Sequence, residues 1–475
     1  MKQFFKNNHL SIIILFGFLI RVLFYFFGGK VYYGKAEFSI GGDTTTWVTS
    51  IINLIEHGTY SVDLNEPTGY FFRPPGYSFF IGLFYLLSGK NILLAYKLIV
   101  WAQLLLDTAS IYLIYKIVNR VFFNKIFSIS AAILYTFYPF SIVWAPIIYA
   151  ETTSVFFLLA GTWFFVNDKL KAHYFFSGLF IGIATLTRLQ IIFFFPAALL
   201  AMLFHYRNSV YAFIKFALPF SFAFILSYGL WPVRNFVLHD TIMFSQDLSA
   251  VGCWDKDIMG FRDYIFSVKT DWDPQMTQIM KGEKAEWPKA SFLIPEDSVK
   301  LNKVAQMCHD CGFGFNAFMK NAGYRNGYLP EDSSCSQEIS ILFNELTQNQ
   351  KQYNQLNFYV WVPLSNLKKC LFKSGLYNPS SRLVNLFSTL LFGYRSILIL
   401  IGFAGVLLYF QRNKKIPVLF NLILFYFIFS YLSLSFVYRN IEMRFLLPAD
   451  ILLLIPAAYF LSFLIEKYLL KRNLV

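Results

Sequence analysis

The chain is dominated by apolar stretches long enough to cross a bilayer, and they decide most of what it can fold into. A spanning helix needs ~20 predominantly apolar residues. Such stretches fall at roughly 10–27, 92–118, 126–145, 150–167, 174–188, 189–205, 210–230, 386–410, 417–436 and 446–465. In lipid a backbone must satisfy its own hydrogen bonds, so each stretch reads as a helix. Only 14% of the 475 residues are charged, well below the ~25% of ordinary soluble domains. The 57 Phe residues suit lipid-facing and interfacial surface. The expected fold is a mostly α, polytopic membrane protein of about ten spans.

Charge placement sets the expected topology. The formal net charge is +14, but the basic residues sit in short clusters between apolar runs and form no continuous face. Such clustering is the signature of positive-inside bias, and it argues against nucleic-acid binding. The clusters are Lys116 with Arg120 and Lys125, Lys169 with Lys171, Arg207, Arg412 with Lys414 and Lys415, and Lys467 with Lys471 and Arg472. All fall on the cytoplasmic side, with both termini, if Gly76–Ser88 lies at the outer interface without crossing. The pair of stretches over 174–205 then forms a hairpin with Arg188 at its outer turn. No small-x-small cleavage site follows the first stretch, so it is expected to remain as a span.

Three regions follow. Residues 1–230 form an N-terminal transmembrane core with an outer loop over 28–91, amphipathic from Thr44 to Ile55. Residues 231–383 form an extracytoplasmic domain, α or mixed, inserted before the last three spans. Residues 384–475 carry the C-terminal helices. Four of the five cysteines, Cys253, Cys308, Cys311 and Cys335, lie in the outer domain. An oxidising compartment allows two disulfides there. Cys308-His309-Asp310-Cys311 also reads as half a zinc site, without the second half. Free thiols are the third reading. Cys370 has no obvious partner.

Several stretches, in order, resemble the bacterial polytopic glycosyltransferases of the GT-C fold, which are related to protein O-mannosyltransferases and lipid A aminoarabinose transferases. They are GGDTTTWVTSIINLIEHGTYS, FFRPPGYSFFIGLFYLLSGKN, YPFSIVWAPIIYAETTSVFFLLA, GLFIGIATLTRLQIIFFFPAALL, WPVRNFVLHDTIMFS and MRFLLPADILLLIPAAYF. The stretch from Gly252 to Ser381 carries no such resemblance. The resemblance implies a transferase that takes its sugar from a polyprenyl-phosphate carrier at the outer face of a bacterial cytoplasmic membrane. The acceptor would be a hydroxyl on glycan, lipid or protein.

The same resemblance implies Asp43 as catalytic base. A hydroxyl attacking an anomeric carbon must lose its proton, whereas a phosphate leaves as an anion and needs no acid. A helix N-cap is the structural alternative for Asp43. Arg73, before Pro74-Pro75, falls where the family contacts phosphate; a headgroup contact is the alternative. Glu151 can orient the acceptor or support Asp43, or serve as a cap or ion-pair partner. Arg188, Arg234 and Arg444 map to outer span ends and can converge on a polyprenyl phosphate, or snorkel singly. Glu442 is expected beside Arg439. Asp107, mid-span, is a functional candidate as any intramembrane acid is, or a bundle residue hydrogen-bonding beside Thr108 and Tyr112, and Arg21 reads likewise. Phe193–Phe195 and Tyr135–Phe140 can line a groove for the carrier lipid, or make plain lipid contact. No metal motif stands out and no cofactor is expected, although relatives with other donors use a divalent ion. Two competing readings remain: a transporter or flippase of lipid-linked sugar, and a non-catalytic membrane-anchored assembly protein.

Overall fold

The computed structural model describes residues 9–167, 170–248, 254–327, 333–372, 382–413, 415–439 and 441–469. Among these residues there is no strand; helices account for nearly all the ordered elements. Six helices are both long and apolar enough to cross a membrane: His9–Tyr33, Ile92–Phe122, Val210–Tyr228, Asn385–Arg412, Val418–Tyr438 and Met443–Tyr468. Shorter apolar helices lie at Pro75–Leu87, Lys125–Thr136, Ala150–Val166 and Leu189–His205, and the last three fall on stretches of the expected set. The segment expected to cross over 126–145 is broken. Its helix stops at Thr136, and Pro139 starts a separate short helix, Pro139–Trp144.

The helices that position the site are labelled in chain order. They are α1 (His9–Leu23), α2 (Gly42–His57), α3 (Pro75–Leu87), α4 (Ile92–Phe122), α5 (Lys125–Thr136), α6 (Pro139–Trp144), α7 (Ala150–Val166) and α8 (Lys171–Thr187). Then follow α9 (Phe194–His205), α10 (Val210–Tyr228), α11 (Leu230–His239) and α12 (Lys256–Val268). The apolar stretch after Arg73-Pro74 forms α3, which pairs with the amphipathic α2 through Trp47, Val48, Ile51, Tyr77 and Ile81. The main core runs through the bundle from Ile111 to Ala458. A separate core over Ile258–Leu346 builds a purely helical outer unit, settling the α-or-mixed alternative for its described part.

Among the described residues, two ion pairs lie deep in the bundle, away from the cavity described below, where an unpaired charge is strongly disfavoured. Arg21 is fully buried and pairs with Asp107, which also accepts from the Tyr135 hydroxyl. Asp107 is therefore a bundle residue as expected, but its partners lie on α1 and α5 rather than at Thr108 and Tyr112. Sequence reading missed the second pair. Arg395 grips Asp450 at 2.6 and 3.2 Å and donates to the Tyr431 hydroxyl at 2.6 Å and the Cys370 carbonyl at 2.7 Å. It ties together the helices Arg382–Arg412, Val418–Leu432, Val362–Phe372 and Met443–Leu464, labelled α18, α19, α17 and α20; the outer unit's Gln275–Met280, Pro295–Asp310, Phe313–Asn321 and Ser333–Tyr353 are α13 to α16.

In the outer unit Cys311 and Cys335 are joined, linking α15's entry to α16, and Cys308 is a buried free thiol. The disulfide takes Cys311 out of any zinc pair with Cys308. Cys253 lies outside the described residues.

Removing one partner of a buried pair leaves an uncompensated charge, at about 3–5 kcal/mol. Asp107→Ala is expected to lower the detergent melting temperature sharply, while Arg21→Met with Asp107→Leu recovers most of the loss. Thermal unfolding by intrinsic fluorescence measures both.

Candidate functional site

At one end of the bundle, α2, α3, α7, α8 and α20 bring their termini together around a cavity of about 420 Å³. Asp43 stands in the first turn of α2, where the helix dipole favours a carboxylate. It is not the N-cap that its sequence position allows. Gly41 holds that place, and its N–H is taken by the Thr44 hydroxyl at 3.0 Å. Thr44 also donates to the Ile148 carbonyl at 3.1 Å, and Ile148 N–H donates to the Ser39 carbonyl at 2.8 Å. These bonds lay the start of α2 against the segment that leads into α7. Glycine at position 41 lets Tyr149 sit against the start of α2, because a Cβ there would fall 2.1 Å from the tyrosine hydroxyl and push it away. That hydroxyl accepts from the Asp43 N–H at 3.3 Å.

Two arginines hold the Asp43 carboxylate. Arg73 Nη2 donates to Oδ1 at 2.9 Å, and Arg444 Nη1 donates to Oδ2 at 2.7 Å. Pro74 keeps the chain extended after Arg73, and Pro75 opens α3 at a position where no N–H is needed. Arg73 is further fixed by the Thr46 hydroxyl, 3.1 Å from Nε, and by the faces of Trp47 and Phe72. Gly76 lets α3 start against the end of α8, since a Cβ would stand 2.6 Å from the Thr187 nitrogen. Arg444 lies over the Tyr149 ring and also donates to Glu442 at 2.5 Å.

Glu151, 1% exposed, stands behind this pair on α7. Arg188, at the turn after α8, reaches it at 2.7 Å, and Arg444 lies 3.7 Å away. The 2.7 Å contact between Arg188 Nη1 and Glu151 Oε1 compensates a charge that burial would otherwise leave costly. Asp43, Arg73, Glu151, Arg188 and Arg444 therefore meet in one cavity, and three arginines interleave with the acids.

Arg234 is not among them. Its guanidinium donates to the carbonyls of Tyr70 and Tyr60 at 2.9 Å each, bracing α11 against the loop before α3. A backbone brace and a phosphate ligand look alike in sequence, since both need an arginine at a span end. Glu442 pairs with Arg444 instead of Arg439, which donates to the Phe358 carbonyl at 2.7 Å. Sequence reading also missed Tyr149 and Gln103. Gln103, fully buried, donates to the carbonyls of Ala145 and Ile147 at 2.9 and 2.6 Å and fixes the segment carrying Tyr149. A buried amide mid-span is a signal that could have found it.

Burial alone pushes the Asp43 carboxyl up, but the charges of Arg73 and Arg444 outweigh it and hold it below the ordinary carboxylate value. The group stays ionised at neutral pH. Among the described residues, no group of three or more His, Cys, Asp or Glu could hold a metal ion.

With this geometry in place, comparison with known proteins is informative. Residues 72–231 match the family model of dolichyl-phosphate-mannose-protein mannosyltransferase. No curated protein matches. Among solved structures, the oligosaccharyltransferase of Archaeoglobus fulgidus tethered with an acceptor peptide is 14% identical, with a TM-score of 0.53, covering 100% of this chain and 51% of that one. The archaeal oligosaccharyltransferase AglB of the same organism, in complex with an inhibitory peptide and a dolichol-phosphate, is also 14% identical, with a TM-score of 0.52 and coverage of 98% and 52%. ArnT from Cupriavidus metallidurans bound to undecaprenyl phosphate is 14% identical over 95% of this chain and 78% of that one, but its TM-score of 0.35 is too low to argue from. The chain spans about half the length of the oligosaccharyltransferase. The family match and the shared fold agree with the GT-C resemblance of the sequence motifs.

A carboxyl with a depressed pKa contributes stability that is present above its unfolded value and lost as pH falls through its folded value. Asp43→Asn is therefore expected to melt below wild type at pH 7. The two curves should converge as pH drops below about 4, a trend that differential scanning fluorimetry across pH can follow.

Proposed function

We propose that the chain is a membrane glycosyltransferase that moves a sugar from a polyprenyl-phosphate donor to a hydroxyl acceptor, with inversion and with Asp43 as base. The observation that carries this reading is an ionised Asp43 gripped by two arginines in a cavity at the end of the spanning bundle. Arginine binds phosphate bidentately and stabilises negative charge that grows on a leaving oxygen. Arg73 and Arg444 would hold the departing phosphate, with Arg188 close by through Glu151.

In the proposed step the acceptor hydroxyl gives its proton to Asp43. Its oxygen forms the new bond at the anomeric carbon, and the bond from that carbon to the phosphate oxygen breaks. The electron pair leaves with the phosphate, whose negative charge the guanidinium groups offset. A depressed pKa makes Asp43 a weak base but keeps it ionised. It can take a proton late in the step, when the acceptor oxygen has already become acidic by bonding to an oxocarbenium-like centre. The site would face the periplasm of a bacterial cytoplasmic membrane, with the carrier's tail in the bilayer. That orientation follows from placing the basic clusters in the cytoplasm.

The test uses membranes containing the full chain and a radiolabelled polyprenyl-phosphate sugar. Asp43→Asn is expected to slow transfer by about 10²–10⁴-fold while polyprenyl phosphate still binds. Arg73→Gln and Arg444→Gln should weaken donor binding as well. Equal transfer by wild type and Asp43→Asn removes Asp43 from the chemistry.

A further inference from the structure

The cavity has a second wall, and it comes from outside the bundle. Ser245, Gln246 and Asp247, from the segment after α11, line it together with Trp254 and with Met259 and Arg262 of α12. This wall is firmly built. Trp231 Nε1 donates to the Ser245 carbonyl at 2.9 Å, Asn235 Nδ2 to the Met243 carbonyl at 3.1 Å, and the Tyr228 hydroxyl to the Phe244 carbonyl. The Asp247 N–H donates to the Phe71 carbonyl at 3.0 Å. Three side chains and one backbone bond thus fix the chain's course while its polar side chains line the cavity.

Trp254 is anchored from behind. Trp272 stacks near it at 6.4 Å and 21°, and Phe318 meets it edge-on at 6.2 Å and 90°. All three pack on the outer unit's core. The indole is held as a plate, yet it lines the cavity with Arg262 one helical stretch further on. Arg262 is held from its own helix by Asp263 at 3.0 Å, and Asp263 is 53% exposed, so that pair is screened by solvent.

We propose that this wall is a pyranose subsite. A sugar ring has an apolar C–H face and a rim of hydroxyls that both donate and accept. An anchored aromatic plate suits the face, while a carboxylate, an amide and a guanidinium suit the rim. The opposite wall, with Asp43 and its arginines, would handle the phosphate and the proton. The subsite rests on the sugar-transfer reading and assigns part of that work to residues 243–248 and 254–262. The sugar it holds is either the one carried on the donor or the acceptor's ring; the recognition chemistry is the same for both.

The experiment titrates the full chain in nanodiscs with methyl α-D-mannopyranoside and methyl β-D-glucopyranoside, read by saturation-transfer NMR, with glycerol as a polyol lacking the ring. The ring protons of at least one pyranoside are expected to take up saturation, and glycerol is not. Trp254→Leu should weaken that binding about three- to tenfold. Arg262→Gln, which leaves the outer unit's core untouched, should weaken it at least twofold with an unchanged melting temperature. Adding a polyprenyl-phosphate sugar then separates the sources. Displacement of the pyranoside assigns the wall to the donor's sugar, and retention assigns it to the acceptor. The subsite is overturned if no pyranoside takes up saturation, or if wild type, Trp254→Leu and Arg262→Gln bind equally. The readout does not need turnover, so equal transfer by wild type and Asp43→Asn would remove Asp43 from the chemistry and leave the subsite standing. Absence of transfer from any polyprenyl-phosphate sugar would count against the enzyme reading alone.

Discussion

One carboxylate held between two guanidinium groups organises this end of the molecule. Asp43 comes from the first loop and Arg444 from the last spanning helix, 401 residues later. Arg73 completes the clasp from the start of α3. The clasp closes the bundle's beginning onto its end. It also keeps Asp43 charged in a setting where burial alone would favour the neutral acid. Arginine engages both carboxylate oxygens. A donor phosphate would compete for those same guanidinium groups, and in taking them it would free the oxygen that must accept a proton. Binding the leaving group and activating the base would then be one event.

The arrangement is useful only if its supports do not drift. Tyr149 and Glu151 sit on a segment fixed by Gln103, and Tyr77 in turn donates to Gln103 at 2.5 Å. Deeper in the bundle, the pairs Arg21–Asp107 and Arg395–Asp450 cross-link helices that apolar contact alone would leave free to slide. Lipid tails resemble apolar side chains, so packing by itself specifies little about register. A buried ion pair specifies it, because any shift strands a charge.

Much of this was legible in the sequence. Six of the expected apolar runs are helices long enough to span, and the stretch expected at the outer interface, Gly76–Ser88, is a helix packed on α2. Asp43, Arg73, Glu151, Arg188 and Arg444 were each singled out, and they meet in one cavity. What the sequence hid has a common physical cause. Arg234 serves backbone carbonyls, which leave no trace in side-chain type. Arg395 and Asp450 lie far apart along the chain, so neither suggests the other, although an acid inside an apolar run is itself a warning. The outer unit showed no familiar motif, and its contribution to the cavity comes from an anchored indole and from Met259 and Arg262 on α12. The choice among disulfide, zinc and thiol needed distances between cysteines, which spacing alone does not give.

The most direct test of the account is a cryo-EM structure of the full chain in nanodiscs with bound polyprenyl phosphate. The account predicts phosphate oxygens ~3 Å from the guanidinium groups of Arg73 and Arg444, with at least one Asp43 oxygen released and facing the cavity. Phosphate density at Arg234 or elsewhere, with the Asp43 clasp intact, would contradict it.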